Sequence, residues 1–537
     1  MLKTNTVQPL VKFVLLFYSL LPLALHAQDD NDDEPMQPRR QAAVLPALIR
    51  GPYLQAASDK SIVIRWRTNA LARSRVSYGL APGQLTNKVE ETALTTEHSI
   101  RLTGLAPHTK YYYAIGDIKT VLQGDSTNYF FTLPMAGTTG FYRVGMFGDC
   151  GTNSPKQRSV RDQFLKYLGN NYLDAWTLLG DNAYPNATDV EYQSNFFNVY
   201  KEDLLKNCPL FPAPGNHDYH DLDYSAAAAQ KSHQVAYYQN FTMPEEGESG
   251  GQASHTQSYY SFDIGNAHFL SLDSYGEGKD AKRLYDPSGE QVKWIKKDLA
   301  KNKNKGWVIA YWHHPPYTMG THNSDRETEL VKIREQFLQV LEKAGVDLVI
   351  CGHSHVYERS KLMNGYYGLE ADFDGSKYNK SNSSGTYDGS SNSCPYIIDP
   401  SNKQHGMVYV VTGSAGKIGP TQATWPHNAM HYSNASVTGA TLLEIQANRL
   451  DLKWVCSDGV VRDHFTMMKG VNTKSAIKAK SGQAVTLTAS FIGSYRWSNS
   501  KETTRSIQVH PPTGKTIYTV SDTQTCLQDS FEVEVKD

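Results

Sequence analysis

Between residues 43 and 133, apolar and polar side chains alternate in short runs: "SIVIRWRT" from Ser61, "RVSYG" from Arg75, "HSIRLTGL" from His98 and "KYYYAIGD" from Lys110. Alternation puts successive side chains on opposite faces of an extended chain, so each run predicts a strand, and the turn-rich spacers between them predict a β-sandwich. From Phe141 the pattern changes to apolar strands that end in Gly-Asp or Gly-Asn-His. These strands alternate with helical stretches such as "SGEQVKWIKKDLAKN" from Ser288 and "ETELVKIREQFLQVLEKAG" from Glu327, which predicts an α/β domain. After Gly470 alternation returns in "AVTLTASF", "YRWSNS", "KTIYTVSD" and "DSFEVEV", predicting a second small sandwich. Residues 372–393, "DFDGSKYNKSNSSGTYDGSSNS", are rich in Gly, Ser, Asn and Asp and predict a long surface loop in the α/β domain, a candidate pocket wall. Trp66 and Trp497 fall in alternating strands and are expected to anchor cores.

At 537 residues the chain exceeds the roughly 250 to 300 at which one hydrophobic core stops growing, so several domains are expected. The expected boundaries are 44–135, 139–468 and 470–537. With 53 Lys+Arg against 54 Asp+Glu, the net charge is -1, which advertises neither nucleic acid nor an anionic membrane as a partner. The apolar run "VKFVLLFYSLLPLAL" from Val11, closed by Ala27, is too short to span a bilayer comfortably. It reads as a signal peptide over 1–27, followed by a polar leader over 28–43, so a secreted, periplasmic or cell-surface protein is expected with no transmembrane segment in the mature chain. The leader's acidic run reads as solvated charge rather than a calcium site. Six cysteines without a CxxC pair argue against structural zinc, and an oxidising compartment permits disulfides whose pairing the sequence leaves open. Cys150 and Cys351 read as small buried residues.

The α/β domain carries the candidate chemistry. "VGMFGDCG" ends an apolar strand at Asp149, and "WTLLGDNAY" ends another at Asp181 with Tyr184 three residues on. "LFPAPGNHD" presents Asn216 and His217, "WVIAYWHHP" presents His313, and "VDLVICGHSH" presents His353 and His355. Functional groups in open α/β sheets gather beyond the carboxyl ends of strands, so donors far apart in sequence can converge there. Imidazole, carboxylate and amide oxygen suit borderline to hard metals. In extended backbone His353 and His355 point to one side about 6.5 Å apart, and each can face a different ion of a pair. "VVTGSAGK" from Val410 lacks the spacing of a phosphate-binding glycine loop and reads as a strand with a tight turn.

The order and spacing of these blocks resemble the binuclear metallophosphoesterases, and within them the purple acid phosphatases. That family's blocks GDxG, GDxxY, GNH plus an acid, VxxH and GHxH stand here as "GDCG", "GDNAY", "GNHD", "AYWH" and "GHSH", with Ala310 departing from the valine. The N-terminal "RGPYLQ", "IRWRT", "VSYG" and "TGLAPHTKYYYAIGD" resemble the fibronectin III-like domain that precedes the catalytic domain in larger members. The resemblance runs from about Leu48 to Asp463 and does not extend to the C-terminal, immunoglobulin-like module. It implies a metallophosphoesterase β-sheet sandwich flanked by helices. It also implies Asp149, Tyr184 and His355 on a ferric ion, Asn216, His313 and His353 on a divalent ion (zinc, manganese or iron), and Asp181 bridging. His217 is implied as the group that protonates the leaving alkoxide or stabilises the transition state and His322 as a substrate histidine, with metal-bound hydroxide as nucleophile. His314 and Asp218 are candidates for orienting ligands.

Three functional classes follow: a secreted acid phosphatase acting on phosphomonoesters, a phosphodiesterase or nucleotide hydrolase on the same scaffold, and a non-catalytic surface-binding protein. The last requires lost ligands, and none of the seven is missing. The C-terminal module is a candidate for cell-surface or matrix contact.

Overall fold

Strands of the central region build two sheets that pack face to face. The computed structural model describes residues 45–220, 228, 231–275, 284–302 and 305–536, so the expected signal peptide and leader lie outside it. One sheet runs Tyr396–Ile398, Val461–Lys469, Arg449–Cys456, Gly439–Gln446, Phe141–Phe147, Ala175–Leu179 and Pro209–Ala213, and then continues into the N-terminal strands. The other runs Tyr260–Ile264, Ala267–Ser271, Trp307–Trp312, Leu348–Cys351, Val408–Thr412, Tyr357–Ser360 and Met430–Asn434. Phe211 of the first stacks on Phe262 of the second with ring centroids 3.9 Å apart. The Tyr311 hydroxyl donates across to the Phe211 carbonyl at 3.0 Å. Arg359 and Asp463 tie the sheets with a buried bidentate pair at 2.7 and 2.8 Å, which Tyr357 joins at 2.8 Å. Removing one partner of such a pair strands a charge in the interior at a cost of about 3 to 5 kcal/mol.

Helices cover both outer faces, giving the expected α/β sandwich. Pro155–Leu168 packs on the first sheet, and its start follows from Pro155 in the first turn and the Ser154 hydroxyl accepting from Gln157 N. Glu290–Lys301 covers the second sheet together with a helical stretch that reads Thr328–Lys332, a wide π turn over Ile333–Phe337, then Leu338–Ala344. Gly345 at φ 78° stops it, as a left-handed C-terminal glycine does.

The N-terminal β domain is fused to this sandwich. Leu48–Gln55 pairs in parallel with Pro209–Ala213, the strand that leads to Asn216, so the first sheet is continuous across both. The expected strands "SIVIRWRT" and "RVSYG" are one long strand, Ile62–Gly79, with register shifts between Arg67 and Ser74. Trp66 is buried.

The C-terminal module holds a four-stranded and a two-stranded sheet. Its strand Lys474–Lys480, which the sequence reading missed, pairs in parallel with Gln528–Lys536. Trp497 lies in its core. The 372–393 loop, expected as a pocket wall, also holds this module: Tyr387 packs against the module's core, its hydroxyl donates to Asp522 at 2.9 Å, and Cys394, just after the loop, is disulfide-bonded to Cys526. The other four cysteines, Cys150, Cys208, Cys351 and Cys456, are unpaired and buried. No helix among the described residues is long and apolar enough to cross a membrane.

Candidate metal centre

Five strand ends from the two sheets meet at one place. Phe141–Phe147, Ala175–Leu179 and Pro209–Ala213 lead to Asp149, Asp181 and Asn216; Trp307–Trp312 and Leu348–Cys351 lead to His313 and His353. The chain is bent sharply there, because Asp149, Asp181 and His353 adopt φ of 58°, 53° and 69°. Such left-handed backbone costs a non-glycine residue on the order of 1 to 3 kcal/mol and persists only where its surroundings enforce it. His353 therefore does not lie in extended backbone, as the spacing from His355 suggested; residues 352–356 form tight turns between strands. The two imidazoles nevertheless reach different groups of donors.

Gly180, at φ +89°, explains why the preceding position is glycine: a Cβ there would fall 2.5 Å from His313 Nδ1. At Gly352 a Cβ would fall 2.6 Å from Asp149 Oδ2.

The seven expected donors form two groups joined by one carboxylate. Around Tyr184 Oη lie Asp149 Oδ1 at 2.9 Å, Asp181 Oδ2 at 2.9 Å and His355 Nε2 at 3.2 Å. Around His313 Nε2 lie Asn216 Oδ1 at 3.1 Å, His353 Nδ1 at 3.1 Å and Asp181 Oδ1 at 3.2 Å. Asp181 thus sends one oxygen to each group. His313 Nδ1 donates to the Leu179 carbonyl at 2.8 Å, so in the neutral ring Nε2 is a lone pair, and two oxygens and a nitrogen face it. Such a convergence of imidazole, carboxylate and amide oxygen suits a borderline to hard cation.

The buried groups also act strongly on one another's charge. Burial opposes a charge on His313, but the Asp181 and Asp149 carboxylates override it and push the imidazole up to about 9. Burial likewise opposes ionisation of Asp181, yet His313, His217 and His353 hold it well below the usual carboxylate range. Burial and the two carboxylates push the Tyr184 phenol well up. A bound cation reverses that balance. Burial, with His313 and His322 beside it, pushes His353 well down.

His217 and His322 flank the two groups separately. The His217 ring lies 4.7 Å from that of Tyr184, its Nδ1 meets the Pro185 carbonyl, and its backbone N donates to Asp181 Oδ1 at 2.9 Å. The His322 ring stacks on His353 at 3.6 Å, and its Nδ1 meets Glu327 Oε2 at 2.8 Å. His314 pairs with the Ser274 hydroxyl at 2.9 Å. Asp218 accepts from the backbone N of Gly215 at 2.7 Å and from Asn182 Nδ2 at 3.0 Å; burial, with Asp181 nearby, pushes it up to about 7.

The calcineurin-like phosphoesterase family model matches residues 142–357, and the model of the purple acid phosphatase N-terminal domain matches 50–133. The chain is 32% identical over 293 residues to purple acid phosphatase 15 of Arabidopsis thaliana, covering 50% of this chain and 50% of that one. It is 28% identical over 385 residues to acid phosphatase type 7 of Homo sapiens, covering 66% and 75%. Over both regions the chain is similar to purple acid phosphatases. It spans half the length of the Arabidopsis relative. A purple acid phosphatase from yellow lupin seeds shares the fold, with TM-score 0.57 and 18% identity over 79% of this chain and 74% of that one.

Purple acid phosphatases are binuclear metalloenzymes, and the donor set fits that description. Asp181, His313 and His353 alone bring ligand atoms within 4.8 Å of one another. Two residues beside the site escaped the sequence reading. Glu327, which holds His322, is the N-cap position of the helix Thr328–Lys332, where the helical pattern gave it no role in the site. Lys417, whose ammonium lies 3.6 Å from the Tyr184 ring centroid, ends the "TGSAGK" turn. That turn does follow a strand, Val408–Thr412, but it packs on the site: Ala415 N donates to the Gly148 carbonyl at 3.1 Å. A glycine run at another strand end of the same sheet was the signal.

Proposed function

We propose that the protein is a secreted acid phosphatase that hydrolyses phosphomonoesters at two metal ions. Asp149, Tyr184 and His355 would hold a ferric ion, and Asn216, His313 and His353 a divalent zinc, manganese or iron, with Asp181 shared. The observation that carries the reading is Tyr184 Oη, gathered with Asp149, Asp181 and His355 within 3.2 Å. A phenolate among carboxylates suits a hard, highly charged cation. Bound ions supply positive charge for phosphoryl oxygens and lower the pKa of water.

The chain's own groups supply the remaining chemistry. The His217 Nδ1 hydrogen bond to the Pro185 carbonyl fixes that proton on Nδ1 and leaves Nε2 to carry the proton given to the leaving alkoxide. Glu327 orients His322 in the same way, so its Nε2 can bind a phosphoryl oxygen. Export rests on the 1–27 signal-peptide reading, and cell-surface or matrix contact is assigned to the C-terminal module. The domain boundaries 44–135, 139–468 and 470–537 belong to the same reading.

The test is metal analysis of the purified protein combined with turnover of an aryl phosphate and an aryl phosphodiester across pH. Two ions per chain and preference for the monoester support the reading. Equal or greater diester turnover replaces it with a phosphodiesterase.

A further inference from the structure

Where the C-terminal module meets the catalytic sandwich, far in sequence from every metal donor, the seam holds a cavity of about 730 Å³, within the roughly 300 to 1,000 Å³ of small-ligand sites. Three parts of the chain wall it. Tyr387 comes from the 372–393 loop, Gln446 and Arg449 from the hairpin of Gly439–Gln446 and Arg449–Cys456, and Tyr495, Arg505 and Gln524 from the module. Among the described residues no aspartate or glutamate lines it. Several of its polar groups have unused capacity. Gln524 Nε2 donates to the Tyr387 carbonyl at 3.2 Å, while its buried Oε1 accepts from no group among the described residues. Arg505 Nε donates to the Ala489 carbonyl at 3.1 Å, and its two terminal nitrogens meet no acceptor among the described residues. The Gln446 side-chain amide likewise makes no hydrogen bond among them. Arg449 is balanced by Asp451 at 2.7 and 2.9 Å, so the uncompensated charge in the wall is that of Arg505. Both tyrosine rings are fixed: the Arg449 guanidinium lies 5.5 Å from the Tyr387 centroid, and Tyr495 stacks on Phe491 at 5.4 Å.

The chemistry of these groups selects the ligand. An amide oxygen without a donor asks for a hydroxyl, a free amide both gives and accepts, a guanidinium fork matches a carboxylate, and tyrosine rings present faces for C–H groups. An apolar ligand would leave the first three unpaired, and a small inorganic anion would use Arg505 alone. A sugar ring that carries a carboxylate meets all of them. We propose that this cavity binds an acidic carbohydrate, a uronic acid unit of a polysaccharide, with Arg505 on the carboxylate and Gln446 and Gln524 on ring hydroxyls. The proposal gives a chemistry to the surface-contact reading of the C-terminal module and rests on it; it does not depend on the metal pair.

The experiment is titration calorimetry on the full chain with tetragalacturonate, and with maltotetraose as the neutral counterpart, for wild type, Arg505→Gln, Arg505→Lys and Gln446→Ala. Arg505 is exposed and Gln446 partly so, and a wild-type melting temperature checks that each variant keeps the fold. The wild type should prefer the acidic oligosaccharide. Arg505→Gln should weaken its binding about tenfold, the scale of one charge-assisted hydrogen bond, and leave any binding of maltotetraose unchanged. Arg505→Lys, which keeps the charge but not the fork, should lose less, and Gln446→Ala should lose about fivefold, the scale of one neutral hydrogen bond. Equal binding of the two oligosaccharides by wild type would remove the acidic class and overturn the proposal. Tetragalacturonate binding that no variant weakens would also overturn it, by moving the contact to another face of the chain while the surface-contact reading stands. A wild type that binds neither oligosaccharide overturns the site whatever else the module touches.

Discussion

Replacing Gly180 by alanine adds one methyl group against the His313 imidazole and the Gly215 backbone. That carbon would lie 2.5 Å from His313 Nδ1, 2.7 Å from Cγ and 2.8 Å from Gly215 Cα, while ordinary contact begins at 3.4 Å. The imidazole must therefore move by about 0.9 Å, the difference between those two distances. His313 cannot give way freely, because its Nδ1 is bonded to the Leu179 carbonyl and its Nε2 is the centre of the second donor group. Disturbing the support of a metal-ligating histidine typically costs about 10- to 100-fold in metal affinity. The φ of +89° adds backbone strain of about 1 to 3 kcal/mol. We expect Gly180→Ala to fold with a lowered melting temperature and to lose the ion near Asn216, His313 and His353 while keeping the one near Tyr184. Metal analysis of the dialysed protein, alongside thermal unfolding, reads both effects. Retention of both ions with wild-type turnover would refute the reasoning, since His313 would then be neither pinned by Gly180 nor a ligand.

Asp181→Asn should lower occupancy of both ions, because one carboxylate oxygen faces each donor group, and metal analysis showing two stoichiometric ions would remove Asp181 from the bridge. His217→Ala should keep both ions yet lose about 10² to 10⁴ in turnover, least for substrates whose leaving groups need no proton; a loss independent of leaving group would argue against proton donation. Glu358, buried beside Thr318, is pushed by burial from an ordinary 4.5 up to about 8. The native state therefore holds this proton where the unfolded chain has released it, and stability falls as pH rises through that window, by at most about 1.4 kcal/mol per unit. Glu358→Gln should flatten the pH dependence of the urea midpoint between pH 5 and 8, and an unchanged dependence would contradict it.

The side chains that converge at the centre were legible because apolar runs followed by Gly-Asp or Gly-His announce the strand ends that carry them. Helix Glu290–Lys301 was legible from its period. What escaped was set by tertiary contact rather than local pattern. The left-handed backbone at His353 comes from crowding at the sheet junction, which no residue spacing encodes. The 372–393 loop carries turn-forming residues that leave its direction undetermined; Tyr387 and the Cys394–Cys526 bond turn it to the C-terminal module. Lys417 reaches Tyr184, which is far away in the sequence, and Glu327 reaches back from the start of a helix to His322, and alternation or period says nothing of either contact.

The central claim is a metal pair with Tyr184 on a ferric ion. A phenolate bound to ferric iron transfers charge to the metal in the visible range, and carboxylate, amide and imidazole ligands alone do not. The decisive measurement is the visible spectrum of the purified, oxidised protein alongside its iron content, for wild type and Tyr184→Phe. The account predicts a violet to pink wild type containing iron, and a folded Tyr184→Phe protein without the visible band. A colourless wild type with stoichiometric ferric iron would contradict it, by taking Tyr184 out of the coordination shell.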